Sequence, residues 1–140
     1  MNANELMIHN YVLFEGFPVC VTNVGLTYIE GCLCKNDTLY DVKLKYEDIE
    51  PIPITEGLLL RNGFEKEEKW FRVGVGDVRL CVIDLLGIRE NQHEPLWRIT
   101  VEGVMLSQFL NKGTLETNAL HQFQNLLSIL GVLFELKVKE

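Results

Sequence analysis

Apolar and polar residues alternate along several short stretches in the first half of the chain. In "TLYDVKLK", Tyr40, Val42 and Leu44 are separated by charged residues, which is the two-residue period of a strand with one buried face. "NYVLFE", "FPVCVTNV" and "LTYIEGCLC" are rich in β-branched and aromatic residues, which favour strands. Glu15-Gly16 and Asn36-Asp37 supply turn chemistry. The pattern predicts a run of short strands joined by tight turns.

The segment "DIEPIPI" closes this β-rich half. Pro51 and Pro53 have no backbone N–H and cannot donate to a central ladder, so the segment is predicted to be an edge strand. Four or five short strands in so few residues favour a small sheet that closes on itself and leaves no exposed edge. We therefore predict an SH3-like β-barrel over residues 1–54.

The pattern changes at "TEGLLLRNGF", where a leucine triplet precedes an Asn-Gly pair. Thr55 can cap a new helix, and Gly63 can end it in the left-handed conformation that glycine tolerates, with Phe64 folding back as the hydrophobic contact. A helix at about residues 56–62 is predicted. Because so short a helix is unstable alone, we expect it to pack between the two halves, which then form one unit.

The second half, residues 55–140, mixes strands with a helix. "KWFRV" and "DVRLCVI" flank Gly74-Val75-Gly76, which predicts a hairpin with a glycine-permitted loop. Trp97, Ile99 and Val101 alternate with polar residues in a third predicted strand.

Apolar residues then recur at helical spacing in "TNALHQFQNLLSILG". This spacing predicts a helix at about residues 118–130, with Thr117 as its cap and Gly131 as its stop. "VLFELKV" is predicted to be a last strand. The second half is therefore β-β-β-α-β, an antiparallel sheet with one packed helix, and the fold class is α+β.

Composition and charge exclude some classes of binding partner. The 140 residues are 47% hydrophobic and 24% charged, as in ordinary globular proteins, and the net charge is −7. Residues 1–55 contain eight carboxylates and only three lysines, so this part of the chain is acidic. Such a field repels nucleic acid and anionic membranes. No secretory leader or long apolar run is present, so a cytoplasmic location is expected.

Four cysteines invite a metal or disulfide interpretation. They are Cys20, Cys32, Cys34 and Cys81. C-x-C without a second pair is not a zinc-finger spacing, and half-buried thiols in a reducing compartment are the simpler interpretation. A Cys20/Cys32/Cys34 site completed by His9 is the alternative, but no metal site and no cofactor are predicted.

One face of the predicted second helix is polar. His121, Gln124, Asn125 and Ser128 follow i, i+3, i+4, i+7 spacing. Either His121 is a general base or ligand oriented by Gln124 and Asn125, or the stripe is the solvated back of an amphipathic helix. We favour the solvated face, because no carboxylate or nucleophile is paired with His121 by sequence.

Other motifs carry no recognisable chemistry. His93 with two nearby glutamates does not match a metal-ligand pattern, and Gly74-x-Gly76 precedes a strand where a phosphate loop needs a helix. Neither a G-x-S-x-G motif nor a P-loop occurs. No catalytic residue is predicted.

Aromatic residues are frequent in the predicted barrel. They are Tyr11, Phe14, Phe17, Tyr28 and Tyr40. Most of them are needed for the small core, but the rims of SH3-like folds often present aromatic grooves to peptides. Tyr28 and Tyr40 are the predicted binding residues.

The segments "NYVLFEGFPVCVT", "DIEPIPITEGLLLRNGFEKEEKWF" and "LHQFQNLLSILG" resemble a family of small proteins of unknown function from Bacteroidetes genomes and their phages or prophages. The resemblance covers most of the chain. It includes a His-Gln and a Gln-Asn pair at His121, Gln122, Gln124 and Asn125, which adds these residues to the candidate binding site. It implies a phage-associated or mobile origin and no particular chemistry.

Together these observations predict a non-enzymatic interaction module that binds a protein partner or its own copy. The alternatives are a nucleic-acid accessory protein that uses the SH3-like barrel, and a metal protein or enzyme that uses His121.

Overall fold

The computed structural model describes residues 1, 3–86, 88–103, 113–130 and 134–138. The protein is α+β, with two antiparallel five-stranded sheets and few helices. The chain divides into two compact units. The first unit is Met1–Pro53 with Ala119–Asn125, and the second unit is Ile54–Asn118 with Leu126–Glu140.

The first unit contains the first sheet, whose strands are paired in the order β4-β3-β2-β1-β5. Its strands are β1 (Tyr11–Phe14), β2 (Phe17–Val24), β3 (Tyr28–Lys35), β4 (Thr38–Lys45) and β5 (Glu50–Pro51). Short 3-10 helices at Ala3–Glu5 and Tyr46–Asp48 precede β1 and β5.

Two-residue turns connect β1 to β2 and β3 to β4, as predicted. Glu15 and Gly16 have φ of 50° and 83°, and Asn36 and Asp37 have φ of 51° and 61°. Positive φ at both central residues matches the twist of the flanking strands. The prediction of an edge strand at Pro51 is also confirmed, since β5 ends the sheet beside β1.

Closure of this sheet into a barrel is not confirmed. β4 and β5 lie at the two ends of the strand order, and no pairing joins them among the described residues of the first unit. β5 is two residues long and includes Pro51. It therefore offers few hydrogen bonds to a second neighbour.

The core of the first unit is built from the inward side chains of alternate strand positions. Val12, Val19, Val21 and Ile29 are fully buried. Gly31 lies among them. Only glycine fits at this position, because an added Cβ would be 2.6 Å from Val19 Cγ1 and 2.8 Å from the Cys20 carbonyl oxygen.

The second unit contains the second sheet, in the order β10-β9-β8-β7-β6. Its strands are β6 (Glu65–Glu67), β7 (Trp70–Val75), β8 (Val78–Asp84), β9 (Trp97–Gly103) and β10 (Gly113–Thr117). The predicted hairpin is present, but its turn is Gly76–Asp77, because Gly74 and Val75 are paired in β7. Trp97, Ile99 and Val101 are buried as predicted.

Helix α1 (Glu56–Arg61) confirms the helix predicted after Thr55. The Thr55 hydroxyl accepts a hydrogen bond from Leu58 N at 3.1 Å. At the other end, Phe64 N donates to Leu59 O and Gly63 N donates to Leu60 O, both at 3.1 Å, with Gly63 at φ 86°. This is the paired bonding of a Schellman cap.

Helix α2 (Leu120–Ile129) confirms the second predicted helix. The cap prediction is wrong, because Thr117 is the last residue of β10 and pairs with Trp97. The predicted stop, Gly131, lies outside the described residues.

The predicted last strand is not found in 134–138, the part of "VLFELKV" that the structure describes. Side chains of α1 and its cap bind this segment instead. Asn62 donates from Nδ2 to Lys137 O at 2.9 Å and accepts from Lys137 N at 2.6 Å, and Arg61 donates to Val138 O at 3.1 Å. These main-chain groups therefore bond to side chains where a strand would use a neighbouring strand.

Candidate functional site

The polar stripe of α2 contacts the start of the chain within the first unit. Asn125 Nδ2 donates to Glu5 O at 2.8 Å, and Asn10 Nδ2 donates to Asn125 Oδ1 at 2.8 Å. Asn10 is only 3% exposed. A buried amide that loses such a partner pays its full desolvation cost, so these bonds hold the segment before β1 against the helix.

The same face of α2 also binds β1. Gln124 Oε1 accepts from Tyr11 N at 2.9 Å. Separately, the main chain at the start of α2 is held by Leu120 N, which donates to Ile52 O at 2.8 Å. The interpretation of the stripe as a solvated helix back is therefore wrong for His121, Gln124 and Asn125. Ser128 is exposed, as that interpretation expects.

His121 is the most buried member of the stripe, with 2% of its surface exposed. Neither ring nitrogen has a hydrogen-bond partner among the described residues, and Nε2 lies 3.9 Å from Glu5 Oε1. Burial lowers the pKa of His121; the Glu5 carboxylate raises it and the terminal amine lowers it further. The imidazole is therefore neutral at pH 7.

The surroundings of His121 are those of a packed side chain. A general base must reach the proton that it removes, and this ring is closed off from solvent in the first unit. Gln122, beside it on α2, is half-buried. His121, Gln124 and Asn125 are thus brought together, but as a polar packing layer.

The two predicted binding tyrosines lie on opposite faces of the first sheet. Tyr40 shares the face of buried Leu44 and is 49% exposed. Tyr28 pairs with Lys45 on the other face, is 37% exposed, and has Lys43 Nζ 4.9 Å above its ring. They cannot form one aromatic groove.

Tyr28 instead borders an open groove of about 450 Å³ in the first unit. The lining residues are Met1, Thr27, Tyr28, Lys45, Tyr46 and Glu47. The groove mixes charges of both signs, so it selects no particular ligand charge.

The edge of β4 is a second exposed feature of the first unit. β4 is eight residues long and pairs only with β3 among the described residues. Leu39 is 68% exposed on one face, next to Tyr40 on the other. An apolar residue on each face of an outermost strand is unusual, because edges are normally blunted by charge, proline or short length.

The register shows which backbone groups of β4 are available. Lys35 and Thr38 close the two-residue turn at Asn36-Asp37, and residues that close such a turn exchange both hydrogen bonds. Bonding to β3 then recurs at every second residue. The positions that direct N–H and C=O away from the sheet are Leu39, Asp41, Lys43 and Lys45.

The thiols do not assemble a metal centre. Cys20 and Cys32 are paired across β2 and β3, and Cys34 lies on the same face, all half-buried. In the described part of the chain, no three His, Cys, Asp or Glu side chains gather to hold a metal ion, which overturns the alternative with His9. Cys81 is buried in the second unit, where burial raises its pKa.

No protein-family model, curated protein or solved structure matches the chain. No helix among the described residues is long and apolar enough to span a bilayer.

Sequence reasoning missed Asn10 and the β4 edge. Asn10 carries no local signal, because its partner is 115 residues away. Leu39 was a usable signal for the edge, since it places an apolar residue on the charged face of the alternating segment.

Proposed function

We propose that the protein is a non-enzymatic interaction module whose β4 edge accepts an extended strand from a protein partner. The observation that carries the proposal is the eight-residue outermost strand with exposed Leu39 and Tyr40. Strand addition obtains affinity from main-chain hydrogen bonds and specificity from alternate side chains.

Three further points belong to this proposal. An SH3-like classification is supported by the strand order, which places β5 beside β1. A phage or mobile-element origin is supported by the sequence resemblance. A cytoplasmic location agrees with four cysteines that form no disulfide.

The test uses a display library of random eight-residue peptides selected against the immobilised full chain. Selected peptides are labelled, and their Kd is measured by fluorescence anisotropy with wild type and with Lys43→Pro. The Lys43 N–H points away from β3, so proline removes a group that only an added strand uses. We expect Kd to rise about tenfold or more, the cost of one or two lost hydrogen bonds.

The matched control is Lys66→Pro in β6, the outermost strand of the second sheet. It should leave peptide affinity unchanged. Hydrogen exchange on wild type gives a second measurement that does not depend on a proline variant folding. Bound peptide should protect the amides of Leu39, Asp41, Lys43 and Lys45. A library without a β4-dependent binder, or protection confined to other strands, would overturn the proposal.

A further inference from the structure

We infer that the strand accepted by β4 is the β4 of a second copy of this chain, paired antiparallel about a two-fold axis at Val42. This inference rests on the proposed function and names its partner. The resulting pair would join two first sheets into one continuous sheet.

The register of the two β4 strands follows from the sheet face on which each side chain lies and from the charges of Asp41 and Lys43. A two-fold axis perpendicular to the sheet keeps each side chain on its own face, so residues of like face must lie opposite each other. With Val42 on the axis, Asp41 lies opposite the partner's Lys43, and Lys43 lies opposite the partner's Asp41. Opposite charges at directly facing positions stabilise antiparallel pairs.

The other face of the same register is apolar. Tyr40 would lie opposite the partner's Leu44, and Val42 opposite the partner's Val42. Tyr40 is 49% exposed although it shares the face of the core. Pairing in this register would therefore cover it with aliphatic surface.

Neighbouring registers lack this complementarity. With Asp41 on the axis, two carboxylates face each other. With Lys43 on the axis, two ammonium groups do. Like charges directly opposite are destabilising, so Val42 is the favoured centre among these alternatives.

The backbone groups agree with this choice. Asp41 and Lys43 direct their N–H and C=O away from β3, as derived from the turn at Asn36-Asp37. In the Val42 register these two residues face each other across the new pair. Facing residues that both point outward exchange two hydrogen bonds.

The test is a charge swap measured by sedimentation velocity from micromolar to millimolar concentration. Wild type should self-associate. Asp41→Lys alone and Lys43→Asp alone should each weaken self-association about tenfold or more, because each places like charges opposite. A mixture of the two variants should associate, since all facing charges are then opposite. The double variant Asp41→Lys/Lys43→Asp should regain self-association.

The possible outcomes distinguish self-pairing, its register and the proposed function. Restoration in the mixture and in the double variant supports the Val42 register. Wild type that stays monomeric overturns self-pairing, and peptide binding blocked by Lys43→Pro would then still support the proposed function. Wild-type association that is insensitive to both single swaps overturns the register. Circular dichroism on each variant confirms that the exposed substitutions leave the fold intact.

Discussion

The two sheets have the same number of strands and are antiparallel throughout, but their edges differ. One end of the second sheet is β6, three charged residues. Lys66 in β6 pairs with Glu56 at 2.7 Å, and Glu67 lies 3.6 Å from Arg72. The first sheet ends at β4, which is eight residues long and exposes Leu39 and Tyr40.

Short length and dense charge are the usual protection of an edge against unwanted pairing. β6 has both, whereas β4 has neither to the same degree. Among the four end strands of the described residues, β4 is the longest, and it carries less charge for its length than β6. The sheets also differ at two of their strand glycines, since Gly31 in β3 is closely packed and Gly74 in β7 is not.

The largest expected effect tests that packing. Gly31→Ala puts a Cβ within 3 Å of Val19 and the Cys20 carbonyl, so we expect a loss of about 3 kcal/mol or more in the free energy of unfolding. Gly74 in β7 has no atom within 4 Å of an added Cβ. Gly74→Ala should therefore gain about 0.5 kcal/mol.

Urea unfolding of both variants measures the difference, and hydrogen exchange assigns it to a sheet. Faster exchange in β2 and β3 of Gly31→Ala, with β7 to β9 unchanged, is the expected result. Equal stability of the two alanine variants would contradict the packing difference.

The next effect compares two asparagines that each bind main-chain groups. Asn125→Ala leaves the buried Asn10 amide without its acceptor and should cost about 2 kcal/mol. Asn62→Ala exposes the Lys137 main chain to water and should cost about 1 kcal/mol. Thermal melts rank the two. Asn125→Asp keeps the acceptor for Asn10 and should fall between wild type and Asn125→Ala.

A pH effect is expected in the first unit from His121. Its pKa is lowered in the folded state, so below about pH 6.5 the unfolded chain binds more protons and the free energy of unfolding decreases as the pH falls. His121→Leu removes this loss and two buried, unpartnered nitrogens. Urea melts between pH 5 and pH 8 should show a flatter profile for the variant. An unchanged slope would mean that another group sets the acid sensitivity.

The smallest effect concerns the β6 edge of the second sheet. Glu56→Gln removes the ion pair with Lys66, whose side chains are 48% and 44% exposed. We expect a loss of about 0.3 kcal/mol that disappears in high salt. A loss above about 1 kcal/mol, seen in urea melts at low salt, would mean that this pair contributes more to β6 than an exposed pair normally does.

The sequence predicts those strands and helix ends that depend on residues close together in the chain. The alternation of Tyr40, Val42 and Leu44 and the caps at Thr55 and Gly63 each depend on residues a few positions apart. The sequence analysis predicts neither β6, because Glu-Lys-Glu has no apolar period, nor β10, whose last residue Thr117 it takes as the cap of the following helix.

Long-range pairing decided the rest. No local signal says that β5 pairs beside β1 and leaves β4 outermost, so the strand order could not be predicted, although Leu39 on the charged face of β4 was a hint of an exposed edge. The same holds for the α2 stripe, whose polar side chains looked solvated because their partners, Glu5 and Asn10, lie at the far end of the chain.

The membership of Ala119–Asn125 in the first unit has a consequence for synthesis. Chains emerge from the ribosome beginning with their N-terminal residues, so β1 to β5 are translated well before the helix that fastens Asn10 and the Tyr11 amide. Until α2 emerges, the segment before β1 lacks the hydrogen bonds that Gln124 and Asn125 make with it. The first unit can therefore reach its final hydrogen bonding only after nearly the whole chain has been synthesised.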